Sequence, residues 1–388
     1  MDGFILKLSP DGSTRRWARQ LTGTGDVAIQ DAAVDGFGAV YVVGSFTGTL
    51  ACGAYNAASP SATDNNAFVV KLAGADGACQ FVKSLGASGD QRAFSIAATP
   101  AGSIVVAGSF GPGGIDFGNL ELLVTFGMSY KTFVACYTNA GGYRWHQGFA
   151  SGYAGPVFAA VAVDATSATL LTTSFMGTTN FGGSDLVEAS AGAVALAKFS
   201  EAGAHQWSRA FSATLGQTKA IALDGAGDIF LSGTFRGGAT FGSFDLSSGS
   251  LIYNVYFGRF SSAVGDPVWV KSYSSGTTVL GYDVAVGGGN VYIAGAYFGP
   301  ADFGGPANLP GTGGRDAFIA GYAAADGSHR WSKGFGSPTE PMGESGTSLT
   351  VDGTGDLIAG GIGSGAIDFG GGPVGGAAFN SFLAKFNK

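Results

Sequence analysis

Residues 221–235, Ile-Ala-Leu-Asp-Gly-Ala-Gly-Asp-Ile-Phe-Leu-Ser-Gly-Thr-Phe, decide the fold. Two short apolar runs are joined by a tight Asp-Gly turn, the pattern of two antiparallel strands. The first run of the pair is small and apolar. It returns at Ala32–Asp35, Ile96–Thr99, Val161–Asp164, Val284–Gly287 and Leu349–Asp352. The second run returns at Val40–Phe46, Ile104–Phe110, Leu170–Phe175, Val291–Ala296 and Leu357–Ile362.

Two more runs flank each copy. One resembles Phe-Val-Val-Lys-Leu and occurs at Phe4–Leu8, Phe68–Leu72, Phe133–Tyr137, Val194–Phe199, Val255–Phe260, Phe318–Tyr322 and Phe382–Phe386. The other carries tryptophan: Trp17–Leu21, Trp145–Phe149, Trp207–Phe211, Trp269–Tyr273 and Trp331–Phe335, with Phe81–Leu85 filling the one gap. The five tryptophans lie 128, 62, 62 and 62 residues apart, and they are all that the chain has. A fixed period of this size means one supersecondary unit repeated in an array. Four short strands per unit, six times over, predict an all-β, six-bladed β-propeller with four antiparallel strands per blade. Residues 1–388 read as one domain of six repeats. The small apolar run suits the crowded inner position, and the Trp run the outer one. Two residues after the Trp phase stand Arg19, Lys83, Gln147, Arg209, Lys271 and Lys333. Charge there is expected to keep outer edges from pairing between molecules.

The seventh Phe-Val-Val-Lys-Leu copy poses a closure problem. Phe4–Leu8 and Phe382–Phe386 hold the same phase and compete for one slot. A local hairpin from Phe4–Leu8 to Trp17–Leu21 costs less loop entropy than joining the chain ends. That hairpin is expected to complete the last blade, so that N- and C-terminal strands share it and Phe382–Phe386 is displaced. A chain cut from a longer one would also explain the surplus strand.

Composition narrows the function classes. The 388 residues include 69 glycines, but 45% are apolar, which excludes a disordered Gly-rich linker. The net charge of -7 lacks the basic footprint of nucleic-acid binding. No run approaches 18 apolar residues, so no membrane span is expected. The start, Met1-Asp2-Gly3-Phe4, has neither a basic nor an apolar leader region, so no signal peptide is expected in this chain. Cys52, Cys79 and Cys136 fall at three different phases. They read as buried or half-buried free thiols, not as a disulfide framework or a metal site.

Each unit continues into a longer connection with its own motif: Asp116-Phe117-Gly118, Asn180-Phe181-Gly182, Thr240-Phe241-Gly242, Asp302-Phe303-Gly304 and Asp368-Phe369-Gly370, with Ala51-Cys52-Gly53 in the first. No Gly-rich loop or His-Arg-Asp accompanies it, so kinase chemistry is excluded. Phe is expected to anchor the connection and Gly to turn it at positive φ. Asp35, Asp164, Asp224 and Asp352 share a phase at the end of the inner run. Four carboxylates near one axis suit a cation, but Asp opening a tight turn is the ordinary use of such a residue. His146, His205 and His329 all neighbour a Trp on the outer run, remote from the hub, and read as surface residues.

The motifs Asp-Ala-Phe-Ile-Ala (316–320), Val-Asp-Gly-Thr-Gly-Asp-Leu (351–357), Ala-Gly-Ser-Phe (107–110) and Asp-Phe-Gly-Gly (302–305) resemble those of bacterial β-propeller repeat proteins. These are the seven-bladed-propeller-type repeats of myxobacterial envelope and secreted proteins. The likeness covers nearly the whole chain, although six units are present here. It implies an extracellular or cell-envelope location. The group has no common catalytic constellation to carry over.

Function is therefore sought in the loops that enter the inner strands, where the units differ most: Gln30-Asp31, Arg92-Ala93-Phe94, Pro156-Val157-Phe158, Thr218-Lys219, Tyr282-Asp283 and Gly346-Thr347-Ser348. Loops on a rigid frame carry function without disturbing the fold. The candidate ligand-binding residues are Asp31, Arg92, Phe94, Lys219, Tyr282 and Asp283. The leading expectation is a monomeric, non-enzymatic binding or scaffold propeller for a protein or carbohydrate ligand, with no cofactor and no metal. The alternative is a polysaccharide-active hydrolase or lyase at the channel mouth. Two carboxylates and a basic residue facing one pocket would favour it.

Overall fold

A computed structural model describes residues 2–387 apart from 120–121, 126, 250–251, 274–276, 313 and 338–342, and leaves the side chains of 189–191 and 376–379 aside. The described residues form strands and turns only. One sheet per repeat makes the blades of a six-bladed β-propeller. Blade 1 pairs Val27–Val34, Val40–Phe46, Asn66–Leu72 and Cys79–Leu85 in that order. Blade 2 repeats this with Gln91–Ala98, Ser103–Phe110, Lys131–Thr138 and Tyr143–Ala150. Blades 3, 4 and 5 begin with Ala159–Val163, Gln217–Leu223 and Val279–Gly287 and likewise place the Trp strand fourth. The chain forms two compact units, Met1–Val187 with Ala195–Ser208, and Glu188–Val194 with Arg209–Lys388.

Within each unit the first strands of successive blades pack on one another, which makes them the inner strands. The second and third strands are apolar on both faces because blades cover both sides of each sheet: Val40–Phe46 and Ser103–Phe110 are buried almost throughout. The Trp strand locks each blade to the next. Trp17, Trp145 and Trp269 donate their indole N–H to the carbonyls of Gly74 (3.1 Å), Glu201 (2.8 Å) and Ala324 (3.1 Å), at the turn before the following Trp-phase strand. A glycine in that turn lies on the ring. A Cβ on Gly77, Gly203 or Gly327 would come within 2.7, 2.5 and 2.9 Å of the indole, and all three have positive φ. The basic residues two positions after the Trp reach the same turns. Arg19 donates to the carbonyl of Gly77 at 2.7 Å and Arg209 pairs with Asp266 at 2.8 Å, so they join blades as well as charge an edge.

The expected displacement of Phe382–Phe386 does not occur. The strand Gly3–Leu8 pairs with Arg15–Gly23, but this hairpin continues into Thr49–Cys52 and Tyr55–Ala58 and packs against blade 1. The last sheet holds three strands, Ser345–Val351, Leu357–Asp368 and Pro373–Phe386, with Phe386 opposite Leu357. Phe382–Phe386 keeps its slot beside Leu357–Asp368. The reason is local. Pro373–Phe386 follows Leu357–Asp368 through a four-residue turn, a shorter closure than any the N-terminal hairpin offers.

The cysteine expectation also fails in part. Cys52 and Cys79 form a disulfide with Cα atoms 5.9 Å apart, while Cys136 is a buried free thiol. Cys52 occupies the phase of Phe117 and Phe181, and Cys79 stands two residues before the Trp phase. In other units the glycine after the first of these phases meets the second: a Cβ on Gly182 would meet His205 at 2.9 Å, and one on Gly242 would meet Pro267 at 2.8 Å. The disulfide is a covalent version of a contact the other blades make by packing. The histidines are half-buried, not free on the surface. His146 stacks on Phe117 at 4.4 Å, and His205 and His329 lie 3.1 and 3.3 Å from Ser208 and Ser332.

Candidate functional site

Every candidate residue but Arg92 lies at a β-bulge near the start of an inner strand. Register slips by one residue past Gln30, Phe94, Lys219, Tyr282 and Thr347. Each bulge faces a glycine of the second strand. A Cβ on Gly44, Gly108, Gly233, Gly295 or Gly361 would stand 1.8 to 2.2 Å from the carbonyl oxygen at the bulge. Blade 3 has Thr173 at that place, whose hydroxyl donates to the Phe158 carbonyl at 3.1 Å. A bulge re-aims the extra side chain and frees it from the sheet's alternation. The Gly of Gly-Ser-Phe and Gly-Thr-Phe was the sequence signal for these bulges.

Asp31 and Asp283 come one residue after the bulge, and this single step changes their role. The Asp31 carboxylate accepts from the Ala32 amide at 2.7 Å and, across the blade boundary, from the Ile96 amide at 2.9 Å. Asp283 does the same with Val284 at 2.8 Å and Leu349 at 2.6 Å. Ser95 holds the equivalent position in blade 2 and accepts from Val161 at 3.2 Å. These carboxylates rivet neighbouring inner strands. Burial pushes the Asp31 carboxyl up to about 6, against its two amide partners and Ser95, which pull it down.

The bulges take Phe94, Lys219 and Tyr282 out of the alternation of their strands. In the first unit, Phe94 and Phe158 stack with centroids 4.5 Å apart and planes 23° from parallel, and Phe158 keeps 37% of its surface exposed. Two residues before Phe94, Arg92 holds both oxygens of Asp90 at 3.2 Å, and Asp90 also accepts the Tyr130 hydroxyl at 3.0 Å. Burial and Asp90 push the Tyr130 hydroxyl up to about 12. Asp31, Arg92 and Phe94 are thus gathered along two adjacent inner strands. In the second unit, Lys219 and Tyr282 occupy the bulges of blades 4 and 5. Burial lowers the Lys219 ammonium to about 8, and it raises the Tyr282 hydroxyl while Arg315 opposes.

One acidic pair stands nearby. Asp316 is fully buried and accepts from the Thr312 amide at 2.8 Å and from the Thr312 hydroxyl. Burial and the Asp316 charge push the Glu344 carboxyl up to about 7. With 1% of Glu344 exposed, the pair is closed to a polymer substrate. The turn carboxylates hold no common centre either. Asp164, Asp224 and Asp352 each accept two amides of their own turn at 2.9 to 3.0 Å. Among the described residues no group of three or more His, Cys, Asp or Glu is placed to hold a metal ion.

No family model matches the chain, and no curated protein does. Solved structures do. BamB from Moraxella catarrhalis aligns over 92% of this chain and 85% of its own, at 12% identity and a TM-score of 0.44. A europium-containing methanol dehydrogenase aligns over 93% and 70%, at 10% identity and a TM-score of 0.43. A protein of unknown function from Dyadobacter fermentans aligns over 94% and 98%, at 11% identity and a TM-score of 0.44. At such identities nothing of what these proteins do passes to this chain.

Proposed function

We propose that this protein is a non-enzymatic binding module that takes a glycan on the bulges of its inner strands. The Phe94–Phe158 pair carries the reading. Two rings stacked on a rigid frame offer an apolar face to a sugar ring at little entropic cost, and the Arg92–Asp90–Tyr130 group beside them supplies fixed polar contacts. Asp31 and Asp283, the carboxylates nearest the bulges, are occupied by backbone amides, which argues against general acid–base work there. A protein ligand would use the same rings. The Cys52–Cys79 disulfide supports an extracellular or envelope setting, because such bonds persist in oxidising compartments. No helix of the described residues is long and apolar enough to cross a membrane.

Glycan-array screening followed by calorimetry tests this. Phe158→Ala should weaken the best ligand at least tenfold and leave the melting temperature close to wild type. Turnover of any polysaccharide, abolished by Asp31→Asn or Asp283→Asn, would refute the reading and establish the hydrolase alternative.

A further inference from the structure

At the other end of the same strands lies a cleft of about 530 Å³, lined by Lys7, Asp35, Phe37, Lys71, Gln80 and Asn139 among others. Two of its walls are lysines of one repeat phase, the residue before the bulge of the third strand. Cys136 and Gly321 hold that phase in blades 2 and 5, and where it is cationic elsewhere it is neutralised within its own blade. Lys198 pairs with Asp164 at 2.8 Å, Arg259 with Asp228 at 2.5 Å, and Lys385 with Asp352 and Asp356 at 2.7 and 3.2 Å.

Blade 1 has the lysine and the turn aspartate but not the pair. Ala39 replaces the aspartate that Arg259 and Lys385 meet at the phase of Asp228 and Asp356, and Asp35 is taken by Tyr41, whose phase is Leu170, Phe230 and Ile358 in the blades with an ion pair. The Tyr41 hydroxyl donates to one Asp35 oxygen at 3.1 Å, while the amides of Phe37 and Ala39 hold the other, both at 2.9 Å. Lys71 is turned away to the Asn139 carbonyl at 2.8 Å, with its ammonium 5.2 Å from the Tyr41 ring centre. Lys7 belongs to the N-terminal hairpin, whose sheet holds no inner strand to supply an aspartate, and it donates to the Gly74 carbonyl at 2.6 Å. Among the described residues both ammoniums bond a carbonyl and form no ion pair, and each keeps donors to spare.

Two ammoniums against the single carboxylate of Asp35, itself held by Tyr41 and two amides, leave this cleft net positive in a protein of net charge -7 and call for an anion. The rest of the lining says which kind. Phe37 is 83% exposed and its ring edge lies over Gly102, 3.8 Å from where a Cβ would stand, so a flat apolar face rims the cleft. Gln80 and Asn139 add neutral amides suited to hydroxyl groups. The volume suits one or two sugar rings and far exceeds a simple oxyanion. We propose that this cleft binds an acidic saccharide, with a uronate carboxylate between Lys7 and Lys71 and a pyranose face on Phe37. The site is distinct from the Phe94–Phe158 bulges, so its failure leaves that reading standing.

Calorimetry with digalacturonate and with neutral digalactose at low ionic strength decides it. Digalacturonate should bind at least tenfold more tightly. Lys7→Met and Phe37→Ala should each weaken it severalfold. Tyr41→Phe should weaken it too, since Asp35 then regains an oxygen for Lys71, a result that simple loss of a surface contact does not foresee. Phe37 is so exposed that its variant will fold whatever becomes of the others. Equal affinity for the two disaccharides would overturn the proposal. So would unchanged digalacturonate affinity in both Phe37→Ala and Lys7→Met, or complete displacement by an equal concentration of inorganic phosphate.

Discussion

The two ends of the chain carry the same strand and treat it differently. Gly3–Leu8 is paired with a Trp strand and has no inner strands; Pro373–Phe386 has inner strands and no Trp strand. Lys7 and Lys385 hold one phase, yet Lys385 sits between two aspartates and Lys7 sits on a backbone carbonyl. The strand does not determine the partners. They depend on which half of a blade lies beside it, so one motif yields a neutral ion pair at one end and a cationic cleft wall at the other.

The largest test of that contrast sets Trp17 against Leu383. Trp17 is 7% exposed and sits in a cluster with Leu21, Val27, Phe68 and Val70. Trp17→Ala should cost about 3–5 kcal/mol in urea denaturation. Leu383 lies on the three-stranded sheet and is 59% exposed, so Leu383→Ala should stay within about 0.5 kcal/mol. A large loss at Leu383 would mean that a further strand covers that sheet in solution. The same geometry bears on a C-terminal truncation. Phe382 and Phe386 pack on Phe369 and on Trp331 and Phe335. Deleting 381–388 should therefore be strongly destabilising.

Next in size is the disulfide, which has no counterpart at the C-terminal end. It closes a loop across a separation of 27 residues, for which chain entropy gives about 3 kcal/mol. Cys52→Ser with Cys79→Ser should lose about that much and become insensitive to dithiothreitol. A wild-type melting temperature unchanged by reductant would count against the bond.

What the residues revealed in advance, and what they hid, divides along range. The period, the blade order and the Asp turns are local, and alternation and turn chemistry display them directly. Asp35, for example, accepts the amides of Phe37 and Ala39, as an Asp-Gly turn should. The place of Phe382–Phe386 was hidden because two strands of one phase compete, and the short turn that favours it, residues 369–372, was not weighed against the N-terminal hairpin. The disulfide was hidden because Cys52 and Cys79 differ in phase. The structure shows that the residue after the first phase lies against the second in other units too, at Gly182–His205 and Gly242–Pro267. Within the site, Phe94, Lys219 and Tyr282 were found as variable positions and proved to be bulged residues. Asp31 and Asp283 lie one step beyond the bulge, where chain pattern alone does not tell a ligand contact from a rivet.

The smallest expected effect is a pH dependence that both regions share. Glu344 beside the last sheet is raised from the ordinary 4.5 to about 7, and Asp31 in blade 1 from 3.8 to about 6, burial being the main cause in each. Between the unfolded and folded values the native state holds the proton and the unfolded chain does not. Their contribution is thus complete below about pH 4 and is lost as pH rises, through 6 for Asp31 and through 7 for Glu344. Each group adds a slope of at most about 1.4 kcal/mol per pH unit. Glu344→Gln should flatten the fall between pH 5 and 7. Asp31→Asn should flatten it between 4 and 6 while lowering stability throughout, because an amide nitrogen would then face a backbone N–H of Ala32 or Ile96. Urea midpoints measured from pH 4 to 8 separate the two. A Glu344→Gln profile parallel to wild type would show that Glu344 is ionised in the native state at pH 5, with Asp316 no obstacle to it.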